Sequence, residues 1–469
     1  MLPELLDPRP YFANLPDPRR ETRNKLHKLH DILMMVLCAV LSGVEDGVGM
    51  EAFAEEKEAW LRGFLDLPNG IPSHDTLSDV VGRIDPVAFR GAFTAWTTAA
   101  LPSLADEPVC IDGKAIRGSR DGANPAVHRV SAFAGRTRWV LAQQAVAEKS
   151  NEITAIPDLL ALLDLTGAVV SMDAMGCQKA IAQTIIDAGA DDLALKDNHP
   201  TLCEDVKLWL DAEVVCGRLP VQETVEKDHG RIEIRRYALS DRMDWLEAKS
   251  AWRGLQAFVR VESTRIIGDQ TRTECRYFLC SFADRERFAA TVRGHWAIEN
   301  AQHWVLDVQF GEDACRTRRD HAPENLAVIR RMALNVLRHN GPPCDSIRRR
   351  KLRAALNEDY RLRLLLGSPT RLPHSAIALI LNRDEESADC YRKWTQHHPN
   401  DPEAWHMLAA VTGENAPSRA THNTNDVRIF ASGLKTVRGE ALSNPVFYRY
   451  ECPSTGLQGE RMGAKVLNV

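Results

Sequence analysis

The feature that most limits what this chain can fold into is a change of apolar period near residue 105. Before it, apolar residues recur at helical spacing between turn-forming residues. After it they come in short unbroken runs, the pattern of buried strands. Two of these runs, PVCIDG and AVVSMDA, end on aspartates, Asp112 and Asp173. Aspartates at the tips of adjacent buried strands sit side by side, and like charges that close are costly unless a cation lies between them. Hard divalent ions suit such a place, because Mg²⁺ takes oxygen ligands and keeps waters beside one or two carboxylates. A pair of solvated strand-end aspartates is the alternative on spacing alone.

The rest of the chain organises around these strands. Helical patterns cover Asp31 to Ser42, Met50 to Leu65 and Leu77 to Ala100, with Ser73 or Asp75 capping a helix start. Ser73, His74 and Asp75 are adjacent and cannot converge as a hydrolase triad does. From 105 the order is three strands (PVCIDG, VHRVSAFAG, TRWVLAQQAVAE), a helix (NEITAIPDLLALLDL), a strand (AVVSMDA), a helix (QKAIAQTIIDAG) and a strand (DDLALKDN). That order implies an α/β fold, a mixed sheet covered by helices. Residues 220–282 are again β-rich, with Asp228, His229 and Gly230 as turn residues, and 286–310 and 323–340 are helical. The β-rich stretch therefore reads as an insertion before the last helices.

Composition narrows the class. At 469 residues, 44% hydrophobic and 26% charged, the chain holds about three globular domains and is no disordered or fibrous polymer. Its net charge of −5 means that any contact with a polyanion must come from local patches. The 11 cysteines include no CxxC pair, which points to reduced thiols in the cytoplasm. The first residues, MLPELLDPRPYFANLPDPRR, do not follow the pattern of a secretory leader. The most apolar run, Ile32 to Val44, falls short of the roughly 20 residues of a membrane helix and reads as a buried one. No membrane partner is expected.

A third acid is expected from a helix. In GHWAIENAQHWVLDVQFGED the candidates are Glu299, Asp307, Glu312 and Asp313, and Glu299 stands amid Trp296, Ile298 and Trp304, where a merely solubilising role is least expected. Three carboxylates can hold two metal ions that serve the attacking and leaving oxygens of a phosphodiester displacement. A competing reading takes His295, Glu299 and His303, spaced i, i+4 and i+8, as zinc ligands.

The segments CIDGKAIRGS, VHRVSAFA, EKSNEITAIPDLL, SMDAMGCQ, LALKDNHP, EKDHGRIEIRRY and RGHWAIENAQHWVLDVQFGEDACRTR together resemble bacterial insertion-sequence transposases of the ISAs type, the H-repeat-associated proteins, over roughly residues 10 to 366. The resemblance implies a ribonuclease H-like mixed sheet with helices on both faces, a β-rich insertion at about 220–282 and a helical N-terminal domain. It implies metal-dependent cleavage and strand transfer of DNA, with Asp112, Asp173 and Glu299 as both catalytic residues and ligands of Mg²⁺ or Mn²⁺, two ions in all. The partners it implies are double-stranded DNA at terminal inverted repeats, target DNA, and a second copy of the chain when ends are synapsed; no small-molecule substrate is expected. Its place would be the cytoplasm, on the nucleoid when bound to DNA. Related enzymes carry a Tyr-Arg-Glu-Lys signature around the helical glutamate, where this chain has Val292, His295, Glu299 and Leu306, and His199 stands where glutamine would be expected.

Positive side chains must surround such an acidic centre. Lys114, Arg117, Lys196, His229, Arg231 and His295 are the expected DNA contacts near it, joined by Arg348, Arg349 and Arg350 in a stretch, 316–363, with 13 basic and 5 acidic residues. A solvated helix face is the alternative for that stretch. The expected domains are 1–104 (helical, transposon-end binding), 105–367 (catalytic) and 368–469. In the last, SADCYRKWTQHHPNDPEAWHMLAA fits a tetratricopeptide framework through Tyr391, Pro399, Trp405 and Leu408, yet one and a half repeats cannot bury a solenoid core. It reads as a fused fragment. Two rival readings are a noncatalytic DNA-binding descendant and an interaction protein acting through the tail.

Overall fold

The computed structural model describes residues 7–23, 25–122, 125–146, 151–172, 177–194, 199–228, 231–342 and 345–366, together with 428–429, 447–451 and 458–462. The chain divides into two compact units, Met1–Gly367 and Ser368–Val469.

The first unit begins with helices α1 (Arg9–Phe12), α2 (Leu29–Leu41), α3 (Gly47–Glu56), α4 (Glu58–Leu61), α5 (His74–Arg83) and α6 (Pro86–Ala100). α2 is buried on nearly every side, as its apolar run from Ile32 to Leu41 requires. Its one buried acid, Asp31, accepts the Leu67 N–H at 3.1 Å. The pattern expected to run from Leu77 to Ala100 is two helices. Ser73 caps the first; Asp85 accepts the Val87 and Ala88 N–H groups, and Pro86 at the first helical position restarts the chain as α6.

Nine strands form one sheet in the order β3-β2-β1-β4-β5-β9-β8-β7-β6. They are β1 (Pro108–Ile116), β2 (Val127–Ala134), β3 (Val140–Ala145), β4 (Val169–Met172), β5 (Asp191–Ala194), β6 (Val221–Asp228), β7 (Arg231–Ser240), β8 (Ala257–Ile267) and β9 (Gln270–Cys280). β1, β4 and β5 are mutually parallel, β2 and β3 are antiparallel additions, and every pair from β5 to β6 is antiparallel. The β-rich stretch is thus inserted in sequence but continuous in space, because Leu193 and Ala194 of β5 pair with Cys280 and Leu279 of β9.

Between and after the strands come α7 (Glu152–Leu160), α8 (Lys179–Asp187), α9 (Pro200–Val215), α10 (Arg285–Ile298), α11 (Trp304–Phe310), α12 (Ala322–Asn340), α13 (Ile347–Leu356) and α14 (Glu358–Leu366). α9 falls between the elements expected from sequence, although Pro200 opens it and Leu202, Val206 and Leu210 mark its buried side. α12 is the keystone between the helical and β regions, packing on α2, α5, α6 and β3. Its Asn325 donates to the Val81 and Ile84 carbonyls, and its Asn335 both accepts from and donates to the backbone of Val140. Among the described residues no helix is long and apolar enough to cross a membrane.

In the second unit the described residues form three short antiparallel strands, β10 (Arg428–Ile429), β11 (Phe447–Glu451) and β12 (Gln458–Met462). No period in that sequence announces them. The tetratricopeptide-like segment with Tyr391, Pro399, Trp405 and Leu408 lies outside the described residues.

Candidate metal centre

Asp112 stands where β1 passes from its buried start into half-exposed residues, and its carboxylate accepts the Gly113 N–H at 2.9 Å. Glu299 arrives from the far side of the chain. α10 packs on β1 and β4, and it approaches closely because two glycines meet: a Cβ on Gly135 would lie 2.8 Å from the Gly294 Cα, and one on Gly294 would lie 3.0 Å from the Pro108 Cβ. Five residues past Gly294 the helix widens into a π-helical turn, Glu299–His303, before continuing as α11. Such turns gather at functional sites because the extra residue re-aims the side chains around it.

Here the turn aims two side chains at Asp112. His303 is buried, with Nδ1 3.3 Å from an Asp112 oxygen and 3.2 Å from a Glu299 oxygen. One ligand atom from each of Asp112, Glu299 and His303 lies within 4.8 Å of the others. Burial, with the Arg331 and Lys114 charges, holds the His303 pKa below its ordinary value despite the Glu299 carboxylate. With its proton on Nδ1 the ring donates to these carboxylates, and with the proton on Nε2 the same nitrogen offers a lone pair to a metal ion. Among the described residues His295 does not join this group; its Nδ1 sits 3.1 Å from the Ser171 hydroxyl. The π turn breaks the i, i+4, i+8 alignment, so Asp112 replaces His295 as companion to Glu299 and His303.

Asp173 lies outside the described residues. β4 ends at Met172, in register with Ile111, the residue before Asp112.

The other helical acids have a different employment. Lys114 Nζ lies 2.6 Å from Asp307, 3.0 Å from Asp313 and 3.7 Å from Glu312, tying β1 to α11 and the turn after it. Burial acts to lower the Lys114 pKa, but these three carboxylates outweigh it and raise it. Glu312 is wholly buried against Arg331 at 2.7 Å. Its burial would raise its pKa, and Arg331, Arg330 and Lys114 together bring it below the ordinary value. Asp307 is shifted upward, since burial exceeds the help of Lys114.

Two of the expected DNA contacts, Lys114 and Arg350, have partners within the protein. Lys114 is spent on the acids behind the site. Arg350 is buried and caps the end of α12, donating to the Leu337 and Arg338 carbonyls at 2.7 Å each and to Pro342. Its neighbour Lys351 sits over the Phe310 ring at 4.5 Å. Arg348 and Arg349 are exposed, Arg349 lying 3.2 Å from Asp345. Arg117 is exposed beside Asp313, and Arg231 is half-exposed beside Glu233 at 3.0 Å. Lys196 and His229 lie outside the described residues.

Comparison with known proteins agrees with this architecture. Residues 104–336 match the model of the transposase DDE domain, and residues 10–97 match that of the DDE_Tnp_1-associated region. A protein of Xanthobacter autotrophicus named for its place in the dhlA 3' region is 48% identical over 284 residues, covering 60% of this chain and 95% of the relative. "Putative transposase YncI" of Escherichia coli O157:H7 is 39% identical over 75% of this chain and 92% of its own. "H repeat-associated putative transposase YhhI" of Escherichia coli (strain K12) is 37% identical over 76% and 97%. The mixed sheet with its helices is the ribonuclease H-like fold of that domain, and this chain belongs to the DDE transposase family, in the company of the H-repeat-associated proteins.

Proposed function

We propose that the chain is a catalytically competent DDE transposase that cleaves and transfers DNA strands at the ends of its own insertion sequence, with Asp112, Asp173 and Glu299 as its catalytic acids. The observation that carries this reading is the meeting of Asp112 on β1 with Glu299 and His303 on the π turn, from positions far apart in sequence. An acid from a strand, an acid from a helix and a histidine between them form a donor set suited to a hard or borderline divalent ion. Mg²⁺ or Mn²⁺ held there would supply charge neutralisation at the scissile phosphate and a lowered pKa for an attacking water.

The chain's own residues prepare the place. The Gly113 N–H donates to the Asp112 carboxylate, and the buried His303 ring lies against both Asp112 and Glu299, so both acids are positioned before any substrate arrives. The Lys114 network fixes α11 to β1 and so fixes the exit of the π turn. Phosphate contacts fall to the exposed Arg117, Arg348 and Arg349 and the half-exposed Arg231, with His295, Lys196 and His229 nearby in sequence to the catalytic elements. Residues 1–104 recognise element ends, 105–367 carry the chemistry, and 368–469 are dispensable for it. Two copies of the chain synapse paired ends, and the protein works in the cytoplasm on nucleoid DNA.

The test is metal-dependent nicking of DNA carrying the element's own ends. Asp112→Asn, Asp173→Asn and Glu299→Gln should each abolish nicking with Mg²⁺ or Mn²⁺ while end binding is largely kept, because backbone contacts lie outside the acids. Undiminished nicking by any of the three removes that residue from the catalytic set. Wild-type protein that binds ends but nicks nothing would favour the noncatalytic descendant.

A further inference from the structure

We infer that a groove on the β6–β9 half of the sheet is a bed for the phosphodiester backbone of DNA, and that it delivers the strand to Glu299. The inference rests on the proposed nucleic-acid function but names a surface which the basic run at 348–351 does not include.

The groove has a volume of about 610 Å³ and is lined by one face of β7, β8 and β9 together with Trp296, Glu299 and Asn300. Side chains two apart on a strand share a face. Register therefore brings Arg231 and Arg235 of β7, Arg265 of β8, and Arg272 and Arg276 of β9 onto that face, with Glu233 opposite Arg265 and Arg265 opposite Arg272. Five arginines meet three sheet glutamates, Glu233 and Glu274 in the groove and Glu226 of β6, in register with Glu233 and 2.8 Å from Arg235. Glu233 is shared among Arg231 at 3.0 Å, Arg265 at 3.2 Å and Arg235, while Glu274 takes Arg276 at 2.7 Å. Among the described residues the Arg272 side chain has no ion pair or hydrogen bond, and it is exposed. Against these three glutamates the five arginines keep a local surplus of positive charge, with Arg272 exposed to solvent, and an extended anion can lie along it.

The far end of the groove is what gives the anion its identity. The Trp296 ring, one turn before Glu299 on α10, is covered by the Arg235 guanidinium at 4.7 Å and the Arg276 guanidinium at 5.4 Å, so the sheet face and the metal-site helix are locked together. Glu299 itself lines the groove. A small anion would use one or two of these arginines. A row of them spread across three strands and ending at an acid of the cleavage site matches a chain of phosphates with one at the reaction centre.

The experiment is equilibrium binding of the full chain, without added divalent metal, to a random-sequence DNA duplex and to oligodeoxythymidylate across a salt series. Arg265→Ala/Arg272→Ala should lower the slope of log affinity against log salt by about 2 on the duplex, near 0.9 for each phosphate no longer neutralised, and by somewhat less on the single strand. The control, Arg218→Ala/Arg253→Ala, removes the same charge from exposed sites elsewhere and should leave the slope nearly unchanged. Should the double variant fail to fold, Arg272→Ala alone, which breaks no ion pair among the described residues, should lower the slope by about 1. A lower slope on either probe supports the groove. An unchanged slope on both, or an equal fall in the control, overturns it. Wild-type protein that binds neither probe refutes the DNA reading itself, whereas wild-type binding matched by the groove variant refutes only the groove.

Discussion

Replacing Gly135 by alanine puts a methyl carbon 2.8 Å from the Cα of Gly294, on the helix that carries Glu299. Carbon atoms rest about 3.5–4.0 Å apart, so the helix must back away from β1 by roughly 0.7–1.2 Å. The Gly135 backbone gives no relief of its own, because its N–H is held by the Pro108 carbonyl at 2.7 Å. Overpacking of this kind costs about 1–3 kcal/mol. The functional effect should be larger than the loss of stability suggests. Glu299 lies five residues beyond the contact, and a misplacement of about 1 Å at a reacting centre lowers rate about 100-fold. Urea unfolding and metal-dependent nicking, measured on one preparation, check both numbers. Gly91→Ala is the control: nothing lies within 4 Å of its Cβ position, and alanine inside α6 should stabilise by about 0.8–1 kcal/mol with nicking unchanged. A Gly135→Ala protein as stable and as active as wild type would refute the claim that close approach of α10 to β1 sets the position of Glu299.

Three further outcomes follow from the same geometry. Glu312→Gln leaves Arg331 charged and unpaired in a fully buried place and should cost about 3–5 kcal/mol by denaturant unfolding. Because the folded Glu312 pKa is depressed, its contribution is fully present above the unfolded carboxyl value and is lost as pH falls through the folded one; the variant's stability should therefore fall less steeply on acidification than that of wild type. Arg350→Ala should cost about 2–3 kcal/mol by uncapping α12, whereas Arg348→Ala/Arg349→Ala should stay within about 0.5 kcal/mol of wild type, a contrast that thermal unfolding reads directly. A chain ending at Gly367, where the first compact unit closes, should remain soluble and keep nicking; aggregation on truncation would mean that this unit depends on the tail.

Much of this protein is written locally. The apolar runs at PVCIDG and AVVSMDA announce buried strands, and β1 and β4 form there, although β1 continues four residues past Asp112, which stands at the edge of the buried segment and not at the strand tip. The apolar run of α2 and the capping roles of Ser73 and Asp85 are equally local, since they depend on near neighbours in the chain. Glu299 is singled out by its apolar company and by the motif around it, and the fold sets it near Asp112 and His303. In each case the deciding interaction is with near neighbours in the chain, which a short stretch of sequence contains.

What tertiary structure decided concerns partners far apart in sequence. Charge counting marks 348–351 as one basic run, yet Arg350 closes the end of α12 and Lys351 lies over Phe310, because two helices happen to meet there. Lys114 follows Asp112 by two residues and looks like a phosphate contact until α11 brings Asp307 beside it. His303 gains its place from a π turn, whose extra residue leaves no mark in apolar periodicity. The arginines of β7, β8 and β9 look unremarkable among the glutamates that alternate with them. Strand register alone collects them on one face, and register is set by pairing across the sheet and not by any one strand.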